Sequence, residues 1–348
     1  MEVPIPARSK PLSYDALKSV IKSMSVEKRQ ELHTDFPSLR AVNSVLPYTI
    51  KEVRIMPNSL RINRKLWVIN KNRERSNSDD EDSNETTISI VDLDTNKRTP
   101  YFTVNKFLDE AFEKCFNAYL KNGSTIQDFD LYNFPNFLCE RDGSVGLKLN
   151  ISKLRMEGKI VDKFDSFIRF VNLDNLEHIH LILDDRLNEH GEWFGMLEKP
   201  LITNCKNLDL SVHSPVSLIN YYTGLRNQTL VLYYHNIRNF PANDLHILIE
   251  NWKTTNRPIG TSFYLYSLYN DTINIFNSLE FEDTFPVEVR GDTTDKPGIG
   301  IHLDDYRDLI LCHGRHLIGS CSFPSLKMEV IASGLQRKNG DSEPDVSA

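Results

Sequence analysis

Apolar residues return every three to four positions near the start of the chain, in "KPLSYDALKSVIKSMSVEKRQELHTDFPSLRAVN" (residues 10–43). Ala16, Leu17, Val20, Ile21 and Met24 share one face at helical spacing, and Ser13 stands where an N-cap is needed. Ser25 is placed to cap a second helix through Leu32, Pro37 interrupts it, and a short turn with Leu39 and Val42 follows. The period then changes to two. Val53 and Ile55, then Leu60 and Ile62, then Leu66, Val68 and Ile69 predict strands, with a turn at Pro57-Asn58. "TISIVDL" predicts another strand. Helical spacing comes back over residues 104–120. There Phe107, Leu108, Ala111, Phe112, Cys115, Phe116, Tyr119 and Leu120 form one face, with Gly123 expected as the C-cap.

The back half alternates. "LEHIHLIL", "CKNLDLSV", "NQTLVLYY" and "GTSFYLYS" are short strands recurring at roughly 20–35 residues. Helical or irregular stretches separate them; the best is "NDLHILIENWKTTN", with Leu245, Leu248, Ile249 and Trp252 on one face. Strand plus helix at that interval predicts a degenerate leucine-rich-repeat-like body. "FPVEVRG", "GIGIHLD", "LILCHG" and "LKMEVIA" predict antiparallel closing strands. The expected class is α/β: an N-terminal helical module, a small strand-and-helix domain, and the strand-helix body.

Composition narrows the function. A net charge of -7 over 348 residues gives no electrostatic basis for binding nucleic acid or an anionic membrane. No apolar run reaches the roughly 18–20 residues that span a bilayer, and "MEVPIPARSK" lacks a secretory h-region. Five scattered cysteines fit a reduced cytoplasmic or nuclear location, where the sequons at Asn150, Asn227 and Asn270 stay unused. The polar, acidic residues 72–87 and the tail 334–348 lack the apolar content to order themselves.

Chemistry is sparse. His178 and His180 share a strand face near Asp184 and Asp185, so a metal-dependent enzyme is a distant third reading. Cys312, His313, His316 and Cys321 lack the paired spacing of structural zinc. Gly298-Ile-Gly300 lacks the rest of a phosphate loop. No cofactor, metal ligand or catalytic residue is expected. Tyr221, Tyr233, Tyr264 and Tyr266 are of more interest, because tyrosines lining one sheet surface suit a protein interface.

Lys10-Pro-Leu-Ser-Tyr-Asp-Ala-Leu-Lys-Ser-Val, then Leu248-Ile-Glu-Asn-Trp252 and Arg257-Pro-Ile-Gly-Thr261, resemble a nematode-expanded family of uncharacterised proteins. Pro11-Leu12 followed by Leu17, Val20, Ile21, Met24, Leu32, Leu39 and Val42 is similar in pattern to an F-box, with the opening Leu-Pro pair reversed. The back half is similar to F-box-associated regions. That resemblance implies a non-catalytic substrate-recognition adaptor of an SCF-type ubiquitin ligase. Leu12, Leu17, Val20, Ile21 and Met24 would face a Skp1-like adaptor, and the tyrosines an unknown protein substrate. A scaffold with no ligase link is the alternative. The expected domains are the F-box-like module 10–46, a strand/helix domain 47–160, and the repeat-like body 161–333.

Overall fold

The computed structural model describes residues 12–71, 85–140, 146–157, 160, 163–183, 194–213, 217–234, 242–267, 271–277, 279, 284–289, 296–318 and 321–334. The chain divides into two compact units. The first is Met1–Lys153 with Lys163–Leu176, and the second is Leu154–Asp162 with Glu177–Ala348. Helices and a mostly antiparallel set of strand pairings make it a mixed α/β protein.

In the first unit, α1 (Tyr14–Ser23) and α2 (Val26–Asp35) start at Ser13 and Ser25. Both serine hydroxyls accept a backbone N–H three residues on, from Ala16 and Lys28. A short turn of 3-10 helix (Pro37–Leu39) leads to α3 (Arg40–Val45). Then come β1 (Thr49–Met56), β2 (Ser59–Ile62), β3 (Lys65–Lys71), β4 (Glu85–Asp92), β5 (Lys97–Arg98) and β6 (Phe102–Asn105). They are followed by α4 (Leu108–Tyr119), β7 (Thr125–Leu131), α5 (Asn136–Glu140), β8 (Asn150–Glu157, divided between the units) and α6 (Phe164–Ile168). β1 to β4 form an antiparallel meander whose first turn puts Asn58 at φ 60, a backbone region asparagine tolerates. β1 also pairs in parallel with β7, a long-range contact that no local pattern announces.

Three sequence expectations are corrected here. The helix expected over 104–120 begins only at Leu108, because Phe102–Asn105 pairs with β4 and Phe107 becomes the N-cap. Its C-cap is Leu120. Gly123, at φ 77, instead turns the chain towards β7 and donates its N–H to the Lys148 carbonyl at 2.7 Å. Residues 85–87, assigned to the acidic insertion, open β4, where Thr86 and Thr87 sit opposite both Val104 and Thr103 of β6 and Lys71 and Asn70 of β3. The rest of that insertion lies outside the described residues, as does the tail beyond Gly334.

The N-terminal helices belong to the first unit's own fold. Ile21 is fully buried. Arg29 of α2 is also fully buried, with no carboxylate in ion-pair contact among the described residues. Its Nε donates to Asn43 Oδ1 at 2.7 Å and its Nη atoms to the carbonyls of Asn43, Leu46 and Pro47 at 3.0, 2.9 and 2.5 Å. Gln30 bonds Tyr119 of α4 and accepts from Lys65 Nζ at 2.6 Å, while Glu27 accepts from Asn63. These contacts fasten α2 to α3, β3 and α4. Beneath them Phe116 packs edge-on to Phe137 at 5.3 Å, and Phe129 meets Phe167 at 5.2 Å.

The second unit holds β9 (His178–Leu183), α7 (Phe194–Leu197), α8 (Pro200–Asn204), β10 (Asn207–Val212), α9 (Ile219–Tyr222), β11 (Thr229–Tyr234), α10 (Ala242–Thr254) and β12 (Ser262–Ser267). α11 (Asp271–Asn277), β13 (Thr284–Val289), β14 (Lys296–Asp304), β15 (Arg307–Ile318) and β16 (Cys321–Ala332) complete it. β9 to β12 are parallel and in register, joined by helical segments. β12 then pairs antiparallel with β16, and β16, β15, β14 and β13 follow as antiparallel neighbours. One sheet face carries Leu181, Leu210, Leu232 and Leu265, all buried, and α10 buries Leu245, Leu248, Ile249 and Trp252.

Candidate functional site

The opposite face of β9 to β12 is polar and aromatic. Side chains alternate along a strand. Burying Ile179 and Leu181 therefore turns His178 and His180 the other way, and burying Leu208 and Leu210 turns Asp209 and Ser211 with them. The same parity puts Tyr233 of β11 beside Tyr264 and Tyr266 of β12, with Tyr233 opposite Tyr266 in the register. The rings form a row. His180 lies 5.9 Å from Tyr233 at an interplanar angle of 26°, and Tyr233 lies 5.2 Å from Tyr266 at 22°. Tyr264 and Tyr266 are 6.1 Å apart with their ring planes nearly parallel, at 8°. Lys327 of β16 closes one end. Its ammonium lies 5.7 Å from the Tyr264 ring and donates to Glu329 at 2.6 Å.

The electrostatics keep Tyr233 and Tyr266 neutral. Burial pushes Tyr233 up to about 12, helped by the negative charge of Asp209. Burial, then Tyr233 and Tyr264, push Tyr266 well above the ordinary phenol range. Burial opposes the Lys327 charge but is outweighed by Glu329 and Tyr264, so Lys327 sits above its usual value and stays charged. Tyr233 and Tyr266 therefore supply flat apolar faces and hydroxyls, not phenolate bases.

The two histidines lie half-buried along the same surface. His178 Nε2 lies 3.0 Å from Asp209 Oδ2, and His180 Nε2 lies 2.8 Å from Ser211 Oγ. Among the described residues no three His, Cys, Asp or Glu side chains gather around one point. Asp184 and Asp185 lie outside the described residues, as do the side chains of His316 and Cys321. Gly298 and Gly300 have a packing role. Gly300 lies opposite Phe285, whose ring would collide with any Cβ there and which stacks on His302 at 4.5 Å. Cys205 is buried and its thiol is pushed up to about 12 by that burial. Asn227, the middle sequon, is buried, with Nδ2 donating to the carbonyls of Ile202 and Cys205 at 2.9 and 2.7 Å.

Of the residues singled out from sequence, Tyr233, Tyr264 and Tyr266 come together. Tyr221 does not: it sits half-buried on α9 beside the fully buried Tyr222. In the first unit Ile21 is spent on the core, Leu17 and Met24 are half-buried, and Leu12 and Val20 are 63% and 41% exposed. Sequence reading missed a groove in that unit. About 1020 Å³ in volume, it is lined among others by Gln30, Tyr48, Lys65, Trp67, Tyr119 and Lys121. Its residues come from five elements and connections far apart in the chain, so no local spacing betrays it. Missed too was Lys327, placed against Tyr264 by the β12–β16 register.

No curated protein matches the chain. Residues 107–267, running from the N-cap of α4 to the end of β12 and taking in the tyrosine row but not Lys327, match the model of an uncharacterised family described as Domain of unknown function (DUF3557).

Proposed function

We propose that the chain is a non-catalytic protein-binding protein whose recognition surface is the row formed by Tyr233, Tyr264 and Tyr266. The observation that carries this reading is the stacking of those rings between His180 and Lys327. Tyrosine combines large apolar area, few rotamers and a hydrogen-bonding tip, the properties of interface hot spots. In this reading β9 to β12 and their helices serve as a leucine-rich-repeat-like body that holds the row rigid, in a reduced cytoplasmic or nuclear compartment. The test is affinity capture from source-organism extract with wild type and with Tyr264→Ala. Tyr264 is half-buried, so the variant keeps its fold, checked by an unchanged melting temperature. A partner held by wild type and lost by the variant supports the reading; identical capture by both refutes it.

A second reading makes the chain the substrate-recognition adaptor of an SCF-type ubiquitin ligase. It is favoured by Leu12 and Val20, exposed large apolar residues at the start and on the flank of α1. With Ile21 buried, the surface offered to a Skp1-like adaptor would consist of Leu12 and Val20 with the half-buried Leu17 and Met24. Purified Skp1 retained by wild type and released by Val20→Glu supports it. Equal retention, or none by either, leaves only the scaffold form of the proposal.

A further inference from the structure

Lys121 follows the C-cap of α4 and lines the groove of the first unit. Its Nζ donates to the Asn43 carbonyl at 3.1 Å and lies 4.5 Å from the centre of the Tyr48 ring. Arg29 uses the same two partners. Its Nη2 donates to the same carbonyl at 3.0 Å, and its Cζ lies 3.9 Å from the same ring. Two cations thus share one carbonyl oxygen and one aromatic ring. Neither has a carboxylate in ion-pair contact among the described residues, although Glu27, Glu31, Asp35 and Asp92 also line the groove, where Glu31 pairs with Lys28.

One of the two must give way. A guanidinium stays protonated in proteins, and Arg29 is locked by four hydrogen bonds to Asn43, Leu46 and Pro47. The strain falls on the amine. Burial, then the Arg29 charge, lower Lys121 to about 8. A lysine desolvated beside another cation is the arrangement that makes an amine nucleophilic near neutral pH.

We propose that Lys121 is a covalent modification site that accepts acyl groups from activated thioesters. The amine lone pair attacks the thioester carbonyl carbon, a C–N bond forms, and the C–S bond breaks with its electron pair leaving on sulfur. The proton lost from nitrogen ends on the departing thiol, so an amine and a thioester become an amide and a thiol with no oxidant or reductant. The product is neutral. It removes one of the two crowded cations and keeps an N–H that can still donate to the Asn43 carbonyl. The groove has room for an acyl chain beside Trp67 and Tyr119.

The advantage can be sized. At about pH 7.4 roughly a fifth of such an amine is neutral, against less than about a thousandth of an ordinary lysine, a gain of roughly 250-fold. A weaker base is also a weaker nucleophile. With the slope of about 0.4–0.5 known for thiolates, the gain shrinks to on the order of tenfold.

The experiment incubates the full chain with acetyl-coenzyme A at that pH and follows each lysine by mass spectrometry. The expected result is acetylation of Lys121 about tenfold faster than of the exposed Lys51, with the rate levelling off above about pH 8. In denaturing urea the advantage should vanish, since it comes from Arg29 and the groove. Lys121→Arg should lose the fast site and leave the slower ones unchanged. Equal or slower labelling of Lys121 than of Lys51 overturns the proposal. So does an advantage that survives in urea, which would assign it to local sequence.

Discussion

Replacing Ile21 with alanine should separate a helix that serves its own core from one offered to a partner. Ile21 has no exposed surface, whereas Val20, its neighbour on α1, is 41% exposed. Truncating a fully buried isoleucine removes transfer free energy and leaves a cavity, together about 2–5 kcal/mol. Val20→Ala removes two carbons that are already partly in water, and surface changes of that kind stay within about 0.5 kcal/mol. In a unit of this size each kcal/mol moves the melting temperature by roughly 2–4 °C, so Ile21→Ala should lower it by about 5–15 °C and Val20→Ala by no more than about 3 °C. Urea unfolding followed by circular dichroism gives both differences, and hydrogen exchange along α1 shows whether the loss begins there. If Ile21→Ala and Val20→Ala prove equally mild, α1 is not docked on the first unit. The whole apolar stripe would then be free for a partner.

Other expectations are independent of that result. Gly298→Ala would place a Cβ 2.7 Å from the Leu311 carbonyl oxygen, a backbone atom held in the β14–β15 ladder. It should cost about 1–3 kcal/mol by calorimetry, and an unchanged melting temperature would mean that ladder is looser than described. A maleimide on the native protein should modify the exposed Cys139 within minutes and leave the buried Cys205 untouched; equal labelling would contradict its burial. Lys121→Met should stabilise the protein below about pH 8, where wild type carries a proton that the fold disfavours. The difference should fade as pH rises to 10.5, above which the amine is neutral folded or unfolded. Urea midpoints of both proteins at the two ends of that window check the sign, and a gap that widens with pH refutes it.

What could be read from sequence was what lies within a few residues. Ser13 and Ser25 announce their helices because a cap acts over three positions. The alternation in "HIHLIL" separates His178 and His180 from Ile179 and Leu181 because the strand period is fixed. The tyrosine row was partly legible for the same reason: parity within β11 and β12 can be counted, but the register that sets Tyr233 against Tyr266 cannot. Tyr221 misled because its pair with Tyr222 reads equally well as strand or helix. The fate of α1 was not legible. An amphipathic stripe looks the same whether it meets a partner or its own unit, and the bonds that fasten the neighbouring α2, Arg29 to Asn43 and Gln30 to Tyr119, span 14 and 89 residues. The helix expected over 104–120 overruns the observed start at Leu108 because Val104 fits both periods. The cross-strand partner Thr86, which settles the matter, lies in a segment read as polar insertion.

The protein-binding reading is tested most directly by placing a photoreactive phenylalanine analogue at position 264 and, separately, at position 306. Tyr306 is 79% exposed on the turn between β14 and β15 and is no part of the row. Irradiation in source-organism cells should join position 264 to one discrete protein, identified by mass spectrometry, and should not join position 306 to it. The adduct should also disappear when Tyr233→Ala is added. No adduct at 264, or the same adducts from both positions, would contradict the claim that the tyrosine row is where this protein meets its partner.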